Sequence, residues 1–374
     1  MTLPALFQPI TLRGLTIRNR IAVSPMCQYV AVDGVPNEWH VAHHGRFALG
    51  GVGLVIAEAT GVMRDGRISP GCTGLWTDEQ EAAWARITAL HRAHGVASAI
   101  QLNHSGAKGS TAQPWAGAGQ LDPDAPDAWE IVAASAVPMR AGWRAPRPAT
   151  VPELEAIVAA FGAAARRAVS AGFDTIELHG AHGYLLHSFF SPLTNRREDA
   201  FGGSLEKRMR LPLLVAEEVR RAVPEAMPLL YRASVVDNAE GGLTVEDTVA
   251  LARELKKRGV DLIDCSSGGG TAMMPPAPQA HGHQVHLAEE VHRGAGIPTM
   301  AVGLITDPLK ANAVVAEGRA DMVALGREML ADANWPYRAA LATGHPAPES
   351  ILPRGYGFFL ERRAQAQGRS AASA

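Results

Sequence analysis

The chain reads as an α/β protein, a single (β/α)8 TIM barrel, and three observations carry that expectation. Short apolar runs rich in Ile, Val and Leu recur through the 374 residues, and there are eight of them. Runs apolar on both faces are the signature of parallel strands buried on both sides. Loops and amphipathic helical stretches separate them, and eight alternating βα units close into a barrel more naturally than they open into a doubly wound sheet. No GxGxxG follows the first run and no GxxxxGK[ST] occurs anywhere, so the two commonest open-sheet nucleotide folds lack their loops.

In chain order, residues 9–19 (PITLRGLTIRN) read as a hairpin able to plug the barrel floor. The predicted strands are Ile21–Ser24, Leu54–Thr60, Ala97–Gln101, Thr175–His179, Leu229–Arg232, Leu262–Ser266, Thr299–Val302 and Met322–Leu325. Helices are expected over roughly 79–94, 152–171, 205–223, 245–258 and 307–317. The second of these repeats its apolar residues at helical spacing and meets Gly172 where a C-terminal cap belongs. About fifty residues, Ser105 to Ala149, separate strand three from its helix. They are rich in Gly, Pro, Trp and Ala, and an excursion of that length reads as a functional lid. The barrel is expected over 1–345 with a C-terminal tail over 346–374, disordered from about Ala364 (AQAQGRSAASA).

Composition narrows the ligand class. An apolar fraction of 47% supplies a large core, while a formal charge of -2 gives no electrostatic case for nucleic acid or an anionic membrane. The start shows no basic segment followed by a long apolar run, and no stretch approaches a membrane span. Cys27, Cys72 and Cys265 are far apart in sequence with no CxxC pair, a reducing-compartment pattern. The expectation is a cytoplasmic enzyme acting on small molecules.

Barrel enzymes place their chemistry at the C-terminal ends of the strands. Those ends here are Ser24-Pro25-Met26-Cys27, Glu58-Ala59-Thr60, Gln101 with His104, His179-His182-Tyr184, Arg232, Ser266-Ser267-Gly268-Gly269, Gly303, and Gly326-Arg327. Gly303 and Gly326 leave the last two strands, where barrels commonly bind phosphate, and Arg327 adds a cation. Both glycines also suit ordinary tight turns. His179 and His182 admit three readings: half of a metal site that lacks recognisable further ligands, imidazoles satisfied by backbone, or neutral donors to a substrate oxygen. Tyr184, protonated at neutral pH, can deliver a proton or can simply pack. Cys27 is either a small buried hydrophobe or a thiol at the mouth, with no spacing that pairs it to a histidine as a nucleophile. His40 and His44 share a helical face and read as structural.

These residues resemble the Old Yellow Enzyme family, in its bacterial thermophilic-like branch marked by a cysteine. The stretches that carry the resemblance are SPMCQY (24–29), WHxxH from Trp39, GRISPGCTGLW (66–76), QLNH (101–104), HGAHGYLLHSFFSPLTNRREDAFGGS (179–204), AVGLI (301–305) and ALGRE (324–328). The resemblance implies non-covalent FMN and hydride passing from NADPH or NADH through the flavin to the β-carbon of an electron-poor alkene: an enone, enal, maleimide or nitroalkene. It assigns His179 and His182 to the activating oxygen, Tyr184 to protonation of the α-carbon, Cys27 to tuning of the flavin, and Tyr29 to the substrate. Ser24, Pro25, Met26, Ala59 and Gln101 would contact the ring, Arg232 its N1–O2 edge, and Gly303, Gly326 and Arg327 the phosphate.

It also implies a homodimer or homotetramer in which tail residues such as Tyr356, Phe358, Phe359, Arg362 and Arg363 reach a neighbour's site. Two departures stand out: Ala107 replaces an arginine of the HAGRK pattern, and Phe201 replaces a tyrosine. Two other classes compete. A cofactor-free aldolase or isomerase barrel would want a strand-end lysine, which is missing, and a non-catalytic flavin-binding scaffold would need neither the histidine pair nor Tyr184. Relatives carrying an iron–sulfur module need a cysteine cluster that this chain lacks.

Overall fold

A computed structural model describes residues 2–269 and 280–367. Two short strands, β1 (Ile10–Leu12) and β2 (Leu15–Ile17), form the antiparallel hairpin expected at the N-terminus. Then come β3 (Ile21–Val23), α1 (Glu38–Leu49), β4 (Leu54–Gly61), α2 (Asp78–Ala93) and β5 (Ala97–Asn103). The excursion after β5 contains a two-residue parallel pair, β6 (Val132–Ala133) with β7 (Arg147–Pro148), and ends at α3 (Val151–Ser170). Next are β8 (Thr175–Gly180), α4 (Leu185–Phe190), α5 (Leu205–Ala222), β9 (Leu229–Ser234), α6 (Val245–Lys257) and β10 (Leu262–Ser266). The chain continues through α7 (Val285–Ala295), β11 (Thr299–Ala301), α8 (Pro308–Ala316), β12 (Met322–Leu325), α9 (Arg327–Ala331), α10 (Trp335–Ala342) and α11 (Arg354–Ala366).

Eight strands close a parallel barrel in the order β3-β4-β5-β8-β9-β10-β11-β12, with β12 returning to β3 through Val323 opposite Ile21. Alternation along each strand sorts the side chains into two layers. Leu54 and Ile56 of β4, Ala97 and Ala99 of β5, and Leu230, Leu262, Met300 and Met322 fill the interior. Leu12 and Ile17 of the hairpin close that interior from below, which confirms the plug. Their neighbours, Val55, Ala57, Ile100, Ile176 and Ile263, face the helices.

The helices start and stop where local chemistry dictates. Thr150 caps α3 and receives Glu153 in return, Leu154, Ile157 and Phe161 bury one face, and Gly172 follows in the left-handed region at φ 84°. Each such side chain, fully buried, contributes about 1.5–3 kcal/mol. Among the described residues no helix is long and apolar enough to cross a membrane. The tail is helical through Ala366, with Gly357 buried against Glu349. Of the disorder expected from about Ala364, the part from residue 368 lies outside the described residues.

Candidate functional site

The exits of β11 and β12 frame a cavity of about 570 Å³. Gly303, Gly326 and Arg327 line it together with Ser24, Pro25, Met26 and Arg232. Gly303 adopts φ 124°, a conformation closed to ordinary side chains. Gly326 matters differently: a Cβ there would meet nothing closer than Met26 Sδ at 3.6 Å and Ser24 Cβ at 3.8 Å, so the missing methyl leaves room inside the cavity. Among the described residues Arg327 has no ion-pair partner. An uncommitted guanidinium, glycine backbone open to close approach, and a volume within the range of small-molecule sites all fit a phosphorylated planar ligand. The residues present therefore fit FMN.

The exit of β8 supplies the polar cluster. His179 is buried and its Nδ1 accepts from the Ala181 N–H at 3.3 Å. His182 sits at φ 57°, held by its own N–H donating to Ser234 Oγ at 2.9 Å, while its Nε2 meets Ser266 Oγ at 2.7 Å. Burial, and then the nearby Arg232 charge, hold both imidazoles well below the usual histidine range, so they stand neutral at physiological pH. The His179 ring packs edge-on to His182 at 5.3 Å and to Tyr184 at 4.6 Å between centroids. Burial pushes the Tyr184 hydroxyl well up, keeping its proton. Lys108, from the segment after β5, donates to the carbonyls of His182 and of Gly269 (2.6 Å for the latter) and lies 5.3 Å from the Tyr184 ring centroid. The turn is thereby tied on both sides.

Behind this turn His187 accepts from the Gly183 N–H at 2.8 Å and pairs with Asp237 at 2.9 Å, both side chains fully buried. Ser191 donates to the second carboxylate oxygen of Asp237 at 2.6 Å. Inside β4, Glu58 accepts from the N–H of Gln28, beyond the β3 exit, at 3.2 Å and contacts His40 at 3.4 Å. A register shift between Ala57 and Ala59 in the β4–β5 pairing accompanies this buried carboxylate. His40 is thus a structural residue, as expected; it also closes the capping box of α1 with Asn37. Cys27, Tyr29 and Tyr184 pack on a small cluster of Ala59, Ile68 and Cys72. The adjacent Cys72 thiol, then burial, push the Cys27 thiol well above its ordinary range, so it stays protonated.

The structure thus brings Ser24, Pro25, Met26, Arg232, Gly303, Gly326 and Arg327 to one cavity; His182 adjoins it through Ser266, His179 packs on His182 and Tyr184 on His179, and Cys27 follows Met26 in the chain. Ala59 sits among the cysteines, and Tyr29 lines a second cavity, of about 720 Å³, with Arg64, Arg67 and Trp129. Gln101 turns into the barrel, donating to Glu177 at 2.7 Å. Sequence reasoning missed Glu177 and Asp264, two acids inside strands read as apolar, and His283 and Gln284, which line the glycine cavity from the start of α7. A carboxylate amid a buried run was the available signal for the first pair. Nothing in the sequence marked the second.

Comparison with known proteins places this geometry. The profile of the NADH:flavin oxidoreductase / NADH oxidase family matches residues 5–343. An NADPH dehydrogenase of Geobacillus sp. (strain WCH70) is 43% identical over 357 residues, covering 94% of this chain and 99% of the relative. Morphinone reductase, solved in complex with tetrahydroNAD, superposes with a TM-score of 0.75 at 28% identity, covering 95% of this chain and 96% of that one. A 2-naphthoyl-CoA reductase complex superposes at 0.81 with 26% identity over 93% of this chain. The chain spans only 53% of that larger protein.

Proposed function

The chain belongs to the NADH:flavin oxidoreductase / NADH oxidase family, that of the Old Yellow Enzymes, as an enzyme using FMN and a reduced nicotinamide; from that premise we propose that it is an ene-reductase acting on electron-poor alkenes. The observation that carries the proposal is the neutral His179–His182 pair beside Tyr184, with His182 joined to Ser266 of the glycine cavity. FMN, when bound, supplies hydride to the alkene after accepting it from the nicotinamide.

The protein's share follows from its geometry. His179 and His182 hold the carbonyl or nitro oxygen and stabilise the negative charge that grows on it, without reorganising at the moment of reaction. Tyr184, kept protonated by burial, gives its proton to the α-carbon. Gly303, Gly326 and Arg327 would hold the FMN phosphate, and Ser24, Pro25, Met26, Ala59 and Gln101 would hold its ring. Cys27 would lie against the ring as a protonated thiol, and Tyr29 would face the substrate. On α11, Tyr356, Phe358 and Phe359 are exposed and Arg362 stacks 5.1 Å from the Phe358 centroid, a surface suited to a second copy in a homodimer or homotetramer. Three free thiols suit a cytoplasmic setting.

The test is spectroscopic. Purified protein is expected to be yellow, to bleach on anaerobic NADPH addition, and to recover its colour when chased with cyclohexenone or maleimide. Bleaching that no activated alkene reverses would reject the ene-reductase reading.

A further inference from the structure

Glu177 of β8 and Asp264 of β10 are both fully buried and lie within hydrogen-bonding reach of one another. Strand β9 runs between theirs and carries Arg232, whose Nε lies 3.3 Å from Asp264 Oδ2. From β5 the neutral Gln101 donates to Glu177 Oε1 at 2.7 Å. The charged groups acting on the two acids are thus each other and Arg232.

Two facts are incompatible with full ionisation. Glu177 Oε2 and both oxygens of Asp264 are buried acceptors without a hydrogen-bond donor. Two carboxylates against one guanidinium would also leave a net negative charge in the barrel interior, which desolvation forbids at large cost. A proton between Glu177 Oε2 and Asp264 satisfies an acceptor and neutralises the group in one step.

We propose that Glu177 and Asp264 share one proton behind Arg232, and that this pair positions and sets the charge that Arg232 presents to the flavin N1–O2 edge. The second half rests on the flavin reading given above; the first half does not. With the proton in place the three side chains sum to zero charge. Without it they sum to -1 and oppose negative charge on the reduced ring. Burial and then the Asp264 charge raise the Glu177 carboxyl to about 8, which puts the loss of that proton on the alkaline side of neutrality. Glu177 and Asp264 are positioning residues, because both act through Arg232.

The arrangement makes an unusual demand on mutants. With Glu177→Gln, Asp264 keeps the one negative charge. With Asp264→Asn, Glu177 loses its anionic neighbour and ionises against Arg232. Each single variant should therefore hold the wild-type two-electron flavin potential at neutral pH. The double variant leaves Arg232 unopposed and should raise the reduction equilibrium about tenfold, about 30 mV upward for a two-electron couple. Above about pH 8 the wild-type potential should fall more steeply than that of Glu177→Gln.

Infrared difference spectra of FMN-loaded wild type against Glu177→Gln give an independent readout: a protonated-acid carbonyl band at pH 7 that disappears on alkaline titration. Absence of that band, or a rise in potential from either single variant, would mean two ionised carboxylates and overturn the proposal. A band with an unmoved double-variant potential would overturn the link to Arg232. If wild type takes up no FMN, the flavin reading fails on its own. The infrared band of the unliganded wild type, titrated across the same pH range, then upholds or overturns the shared proton.

Discussion

At the residue scale, two questions about the mouth of the barrel can be separated experimentally. Tyr184 is the proton donor assigned to alkene reduction, a role that nicotinamide oxidation does not use. Replacing it with phenylalanine keeps its contact with the His179 ring, 4.6 Å between centroids, and removes only the hydroxyl. Tyr184→Phe should slow alkene reduction by about 10²–10⁴-fold and leave flavin reduction by NADPH unchanged in stopped-flow traces. Equal losses in both half-reactions would refute the donor role. The histidines are assigned to the substrate oxygen instead. With His179 and His182 both changed to alanine, phenols should no longer bind at the flavin, and a charge-transfer band that persists on phenol titration would count against their assignment. Both residues were legible in the sequence, because HGAHGY follows a buried strand. Their neutrality was not legible: it comes from desolvation and from Arg232, brought alongside by β9 pairing with β8.

At the scale of elements, the order of strands could be read from apolar runs, and the ends could not. β5 extends to Asn103 and β9 to Ser234, past the expected Gln101 and Arg232, because polar residues there still make ladder bonds or serve the turn. Ser234 Oγ is the acceptor that fixes His182. The turn between β8 and α4 also depends on α4 itself, through His187 and its partner Asp237 from the loop that follows β9. No spacing rule links positions 187 and 237, so this support was invisible before folding. Asp237 satisfies His187, Ser191 and the Leu243 N–H together. Asp237→Ala should therefore destabilise the protein by about 3–5 kcal/mol, as loss of one partner of a buried pair does. Because His187 also anchors Gly183, the same variant should weaken phenol binding, with chemical denaturation and phenol titration reading the two effects. Unchanged phenol affinity in a folded, less stable variant would show that the turn holds itself.

At the scale of the whole molecule, the net charge of -2 conceals a strong internal asymmetry in proton binding. Among the described residues seven imidazoles sit below the ordinary histidine range, burial being the leading cause for each; His345, half-buried, is one of them. His43, His91 and His104 are lowered to about 4, and His44, His179 and His182 are well lowered. A base depressed in the folded state contributes stability that is complete above its unfolded value of about 6.5 and is lost as pH falls toward the folded one. Glu177 works in the opposite sense. Its folded value is raised to about 8, so its contribution is complete below the unfolded carboxyl range and declines as pH rises to about 8. The Glu177 decline overlaps the histidine slopes, whose several protons outweigh its one below about 6.5, and acts without them between about 6.5 and 8. Thermal unfolding of the FMN-free protein should accordingly be most favourable to the fold between about pH 6.5 and 7, falling steeply below and gently above. Each proton is worth about 1.4 kcal/mol per pH unit. His91 is buried, has no side-chain hydrogen-bond partner, and lies away from the mouth against His44. His91→Leu should thus remove one proton from the acid slope while leaving the alkaline limb unchanged, whereas Glu177→Gln should flatten the fall between about pH 6.5 and 8 and steepen the rise below it. A melting profile whose acid limb is unmoved by His91→Leu would mean that this imidazole is already charged in the folded state, and that desolvation does not govern the interior as argued.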